Sequence, residues 1–254
     1  EIMKRHTVIA AFLAVLALPA LAAEQSKALP RIRVLATGGT IAGAQASGLA
    51  AVLFDNLESQ GAQFSVSART AEGDTMTLTG EVDWVGHAGR ADVVATGAEG
   101  DLVEIVWNDD VILERRPDLL ARLLDDDGLA VDYLARTPAP ATRTVDRLVA
   151  VLAALAGDTR DNPLLIAQTA GSASFGIAAV FGREAEVLRY GAENRYWLDV
   201  GSGELLRFEQ PPSIDRDAFV VDLIARGPQV VDLPPVDRTV AATDIRDRYP
   251  FGLP

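Results

Sequence analysis

No cysteine occurs anywhere in the 254 residues. Disulfides, thiolate zinc sites, cysteine nucleophiles, iron–sulfur clusters and a lipid-modified N-terminal cysteine are all excluded. Histidine is nearly as scarce. His6 and His87 are the only two, too few for a multi-histidine metal centre, so neither metal nor cofactor is expected. Lysine also occurs only twice, at Lys4 and Lys27. Aromatic residues make up 6% of the chain, so Ala, Val and Leu must fill most of any core. Positive charge is in deficit: the formal net charge is -13 and the isoelectric point about 4.6. Such a chain repels phosphate backbones, and no nucleic-acid partner is expected. No glycine-rich loop has phosphate-binding spacing, and no Gly-x-Ser-x-Gly elbow is present. The acidic run Asp125-Asp126-Asp127, followed by Gly128, reads as a helix-ending loop rather than a calcium site.

What is present begins with a leader. Lys4, Arg5 and His6 form a basic end, and Thr7 to Leu18 is apolar and uncharged. Pro19 interrupts that run, and Ala20-Leu21-Ala22 supplies the small residues of a signal-peptidase site. The apolar run is about twelve residues, short of the ~20 a spanning helix needs. Residues 1–22 are therefore expected to be a signal peptide, with Met3 as the start. The mature chain would begin near Ala23, carry no transmembrane span and work in the periplasm, the cell envelope or the medium.

Residues 42–60 place Leu49, Val52, Leu53 and Leu57 on one helical face, with Gly61 as the stop. Strand-like alternation follows at Phe64, Val66 and Ala68, and again at Met76, Leu78, Val82 and Trp84. Val93-Val94, 102–107 and 111–113 continue it, at the roughly 8–12-residue turn spacing of an antiparallel meander. Pro117 opens a second helix bearing Leu119, Leu120, Leu123 and Leu124. The segment 142–156 carries Val145, Leu148, Val149, Leu152 and Leu155, an amphipathic helix stopped by Gly157. A short helix is expected over 164–168. Strands return at 184–190, 195–199, 205–209 and 218–225, with Gly201-Ser202-Gly203 as a hairpin turn. Strands, then helices, then strands argue for α+β with an antiparallel sheet and against a doubly wound parallel one. The tail from residue 234 is expected to be irregular.

Two resemblances bear on function. The stretch Ala36-Thr-Gly-Gly-Thr-Ile-Ala-Gly43 follows a strand-like segment at 32–35 and resembles the first active-site loop of bacterial type II L-asparaginases and glutaminases. That resemblance covers residues 31–47 behind the leader and implies Thr40 as nucleophile. A hydroxyl nucleophile needs a base. The family supplies one through a His-Gly-Thr-Asp-Thr loop and a lysine. Here His87 stands in Gly-His-Ala-Gly, and Lys27 is the one lysine after the leader. No catalytic residue is expected unless Thr40 acts in the asparaginase manner.

The second resemblance covers residues 48–233. Phe64-Ser-Val-Ser-Ala with Gly80-Glu-Val-Asp-Trp84, Val103-Glu-Ile-Val-Trp107, Asp161-Asn-Pro-Leu-Leu-Ile-Ala-Gln168, and Arg195-Tyr-Trp-Leu-Asp199 through Gly203-Glu-Leu-Leu-Arg207 are similar, in order and spacing, to actinobacterial LprG-like envelope lipoproteins. The resemblance implies a curved antiparallel half-barrel sheet packed on amphipathic helices, as in lipoprotein carriers. It also implies a cavity between sheet and helices that takes acyl chains. The function so implied is non-enzymatic binding of a lipid or other hydrophobic small molecule. The residues expected to meet that ligand are Phe64, Val66, Val82, Trp84, Leu148 and Leu152. Gly171, Ala173, Gly176, Ala178 and Ala179 are expected to leave room for it. The alternatives are an asparaginase-type amidohydrolase using Thr40 and a structural envelope protein without ligand. The resulting layout is a leader at 1–22, a linker with the asparaginase-like strand and loop at 23–47, the sheet-and-helix domain at 48–233 and the tail at 234–254.

Overall fold

The computed structural model describes residues 41–70, 73–124, 131–157, 173–190, 194–212 and 217–244. The leader, Thr40, the acidic run 125–127, the segment 164–168 and Gly171 lie outside the described residues.

Helix α1 runs Ile41–Glu58. Leu49 and Val52 are buried, with Leu53 and Leu57 half-buried beside them, as the three- and four-residue spacing requires. The helix stops one step earlier than glycine placement suggests. Gln60, at φ 70°, takes the left-handed position, and Gly61 already belongs to the next strand. Glycine is needed at 61 for a different reason: a Cβ there would lie 2.5 Å from the Val82 carbonyl oxygen.

Strands β1 (Gly61–Arg69), β2 (Thr75–Asp83), β3 (Ala88–Ala95), β4 (Glu104–Trp107) and β5 (Ile112–Arg115) form the expected meander. Helix α2 (Pro117–Leu124) and strand β6 (Tyr133–Arg136) follow, then helix α3 (Thr144–Ala154). The second half is β7 (Ala173–Val180), β8 (Arg183–Tyr190), β9 (Asn194–Asp199), β10 (Leu205–Gln210) and β11 (Ala218–Arg226). The stretch read as an irregular tail contributes a short 3₁₀ turn and β12 (Thr239–Ala241).

All twelve strands form one open, curved sheet in the order β12-β6-β5-β4-β3-β2-β1-β11-β10-β9-β8-β7. Every neighbouring pair is antiparallel except β12 with β6. The α+β antiparallel architecture expected from the sequence is therefore the observed one. β1 sits at the centre because β11 returns beside it, pairing Phe64 with Leu223 and Val66 with Val221. The period-2 alternation of β1 buries Ala62, Phe64, Val66 and Ala68 and leaves Gln63 and Ser67 exposed.

One continuous core lies between this face of the sheet and the helices. Val52 of α1 and Val145, Leu148, Val149 and Leu152 of α3 meet Phe64, Leu78, Val82 and Trp107 there. Burying one such aliphatic side chain is worth about 1.5–3 kcal/mol, so α3 is held by packing rather than by its own propensity. Two polar latches fix the helix ends. Asn56 Nδ2 donates to the Leu155 carbonyl oxygen at 2.7 Å, and Arg226 Nε donates to Asn56 Oδ1 at 2.9 Å. The Gly157 N–H donates to the Leu53 carbonyl oxygen at 3.1 Å, joining the C-terminal ends of α1 and α3.

Strands β6 and β7 have no counterpart in the sequence pattern. β6 is four residues long and lies close to Pro138. In β7, Phe175, Ile177 and Ala179 are exposed and a register shift interrupts its pairing with β8, so no buried alternation marks it.

Candidate functional site

The sheet-facing side of α3 does not close on the sheet along its whole length. At the edge of the buried stripe of Val145, Leu148, Leu152 and Leu155 stand Ala150 and Ala153, both exposed, one turn from half-buried Ala156. Here lies a cavity of about 350 Å³, at the small end of the roughly 300–1,000 Å³ usual for ligand pockets.

Its sheet wall is made by Val82, Trp84, Ala88 and Trp107, and its helix wall by Val149, Ala150 and Ala153. Both tryptophans are fixed. Trp84 follows the last residue of β2, and its Nε1 donates to the Leu152 carbonyl oxygen at 3.0 Å. Trp107 ends β4 opposite Gly89 of β3, with its ring lying over that glycine. A Cβ at Gly89 would lie 2.0 Å from the Trp107 ring, so this position admits no side chain. Phe64 packs beside it, ring centroid 6.3 Å from that of Trp107.

The rim is polar, and two adjacent hairpin turns supply it. In the β2–β3 turn, Asp83 Oδ1 accepts from the N–H groups of Val85 and Gly86 at 3.0 and 2.8 Å. His87 then takes a left-handed φ of 52° and its Nδ1 faces Asp109 Oδ2 at 3.5 Å. In the β4–β5 turn, Asn108 Oδ1 accepts from the N–H groups of Asp110 and Val111, both at 3.0 Å. These are local side-chain-to-backbone turns of the kind Asp and Asn favour. Among the described residues no Lys or Arg lines the cavity.

Pro138 and Pro140 close one side of the opening, in the segment between β6 and α3. A buried ionic cluster holds that segment down. Glu114, 1% exposed, accepts from Arg116 Nε at 2.7 Å and Arg136 Nε at 2.6 Å, with Arg143 at 3.0 Å. Asp146, in the first turn of α3, binds both terminal nitrogens of Arg136 and the N–H of Ala139. Arg116 also pairs with Glu99 and, at 2.6 Å, with Asp101. Burial, and then the neighbouring Arg143 and Arg136, lower the Arg116 pKa to about 10. Burial pulls Arg136 the same way, but the Asp146 and Glu114 carboxylates outweigh it and hold its pKa above the ordinary value. The cluster joins β5, β6 and α3, and so sets the height of the proline segment over the cavity.

Of the residues singled out in the sequence, Val82 and Trp84 line the cavity. Phe64, Val66, Leu148 and Leu152 are fully buried at 0% exposure and pack into the core behind it. Gly176 and Ala179 are exposed on edge strand β7 and Ala178 is half-buried there; none of the three is among the residues that line the cavity. Ala150 and Ala153 of α3 line the cavity and are exposed, so its helix side opens to water.

No family model matches this sequence, and no curated protein matches it. Solved structures with a related chain path do exist. An uncharacterized conserved protein from Thermus thermophilus is 10% identical, at a TM-score of 0.43 over 78% of this chain and 99% of that one. LprF from Mycobacterium bovis is 12% identical, at 0.40 over 76% and 97%. A LolA superfamily protein from Nitrosomonas europaea is 9% identical, at 0.30 over 76% and 94%. These are loose likenesses. What the cavity can hold follows from its own walls.

Proposed function

We propose that this chain is an exported, non-enzymatic binding protein for an acyl chain or similar hydrophobic small molecule. The observation that carries the reading is the cavity between α3 and the sheet, walled by Val82, Trp84, Trp107, Val149 and Ala153. An apolar pocket that keeps its volume because its walls are pinned from outside is suited to a ligand rather than to collapse. Trp84 cannot swing in without breaking its bond to the Leu152 carbonyl, and Trp107 is held by its packing on Gly89 and Phe64. Removal of apolar surface from water, at about 25 cal/mol per Å², supplies affinity without a charged anchor. Export rests on the basic, apolar and small-residue segments of the leader. Among the described residues no helix is long and apolar enough to cross a membrane.

The test is a titration of purified protein with dodecanol, followed by tryptophan fluorescence. Trp84 and Trp107 wall the cavity, whereas Trp197 packs in a separate cluster with Val180, Ala185 and Leu206. Saturable quenching or enhancement that disappears in Ala153→Phe is expected. A flat titration of the folded wild type contradicts the reading.

A further inference from the structure

The rim carries information about the ligand that the apolar walls do not. Resting on the reading of the cavity as a hydrophobic-ligand site, we infer that its occupant is a single-chain amphiphile with a cationic head, of the alkylammonium class.

Three observations converge. First, the charge at the opening has one sign. Asp83 and Asp109 stand on the rim, and no Lys or Arg lies among the described lining residues. An anionic head, carboxylate or phosphate, would meet two carboxylates with no guanidinium or ammonium to pair with. The net charge of -13 adds a background field of the same sign. His87, facing Asp109 at 3.5 Å, is the one basic side chain there and can offset at most one of the two acids.

Second, each rim acid is close in sequence to a cavity tryptophan. Asp83 precedes Trp84, and Asp109 follows Trp107 by two residues. The indoles themselves are buried, Trp84 at 4% and Trp107 at 3% exposure, so the carboxylates at the edge of the apolar wall are what an ammonium group meets at the opening. The nearest arginines do not compete for the acids. Arg136, Arg116 and Arg143 are committed to Glu114, Asp146, Glu99 and Asp101.

Third, the volume limits the tail. At about 350 Å³ the cavity lies near the lower bound for small-molecule pockets, which suits one chain and not two. The rim acids are also partly wet, Asp109 with 72% of its side chain exposed. The head is thus selected at the water boundary while the tail lies inside.

The experiment compares dodecyltrimethylammonium, dodecanol and dodecanoate at pH 8 and low ionic strength, below their micelle concentrations, by calorimetry and tryptophan fluorescence. The expected order of affinity is ammonium, then alcohol, then carboxylate, with about tenfold or more between the first and last, as a charge contact of about 1.4 kcal/mol gives. In Asp83→Asn combined with Asp109→Asn, the alcohol should bind as before and the ammonium preference should fall to within about twofold. Added salt should weaken the ammonium complex and leave the alcohol complex unchanged. Dodecanoate binding as tightly as the ammonium, or an ammonium preference untouched by the double variant, overturns the head-group inference while leaving the cavity reading standing. If none of the three amphiphiles binds, the cavity reading itself fails. Circular dichroism melting of the double variant confirms that the comparison is made on folded protein.

Discussion

Three guanidinium groups converge on Glu114. It is 1% exposed and meets Arg116, Arg136 and Arg143. Glu114→Ala would leave buried guanidinium groups without their shared acceptor. The expected loss is about 3–5 kcal/mol of unfolding free energy, far above the cost of a surface ion pair. Urea unfolding checks this, and a loss below about 1 kcal/mol would contradict the geometry. Trp84→Phe is milder. It removes one buried N–H donor to the Leu152 carbonyl, worth about 0.5–1.5 kcal/mol, and keeps most of the ring contact. Asp199, at the β9–β10 turn, gives a pH dependence. The Ser202 N–H, then Arg183 Nε at 2.7 Å, hold its pKa at about 2, below the ordinary 3.8. A depressed carboxylate pKa stabilises the fold above the unfolded value, and that contribution is lost as pH falls towards the folded one. The backbone amide resonance of Ser202, which donates to Asp199, should titrate with a midpoint near pH 2 rather than near 3.8. A midpoint at the ordinary 3.8 would show that the Ser202 and Arg183 contacts do not persist in solution.

At the scale of elements, β3, β4 and α3 decide whether the cavity exists. Gly89→Ala would drive a methyl into the Trp107 ring, at 2.0 Å from where the Cβ must go. The ring also packs with Phe64 and lines the cavity, so its displacement disturbs both core and cavity wall. The expected results are a stability loss of about 1–3 kcal/mol from overpacking and weaker ligand binding, read by thermal melting and titration. The sequence made α3 and the meander legible because Leu148, Val149, Leu152 and Leu155 keep helical spacing and Phe64, Val66 and Ala68 keep strand spacing. It did not reveal β7, whose residues alternate nothing and which exists because β8 offers it a ladder. Nor did it separate cavity wall from core. Phe64, Val66, Leu148 and Leu152 are the large apolar residues a pattern finds first, and large residues fill space. Periodicity reports which face is apolar, whereas the cavity lies at the edge of that face, beside exposed Ala150 and Ala153.

At the scale of the whole molecule, a sheet that curves around two helices has one buried face, and its other face is polar along the centre. The chain closes this layout with β11 beside β1, and Arg226 ties that closure to Asn56 of α1. The cavity sits at one end of the arrangement, where hairpin turns replace ladder and the proline segment crosses. The account stands or falls on whether that space takes a hydrophobic ligand. The most direct measurement is calorimetric titration of dodecanol into wild-type protein and into Ala153→Phe, with melting curves of both. Saturable binding to the wild type and none to a folded variant are predicted, since the added ring occupies the helix side of the cavity. Equal binding to both proteins, or none to a folded wild type, would contradict it.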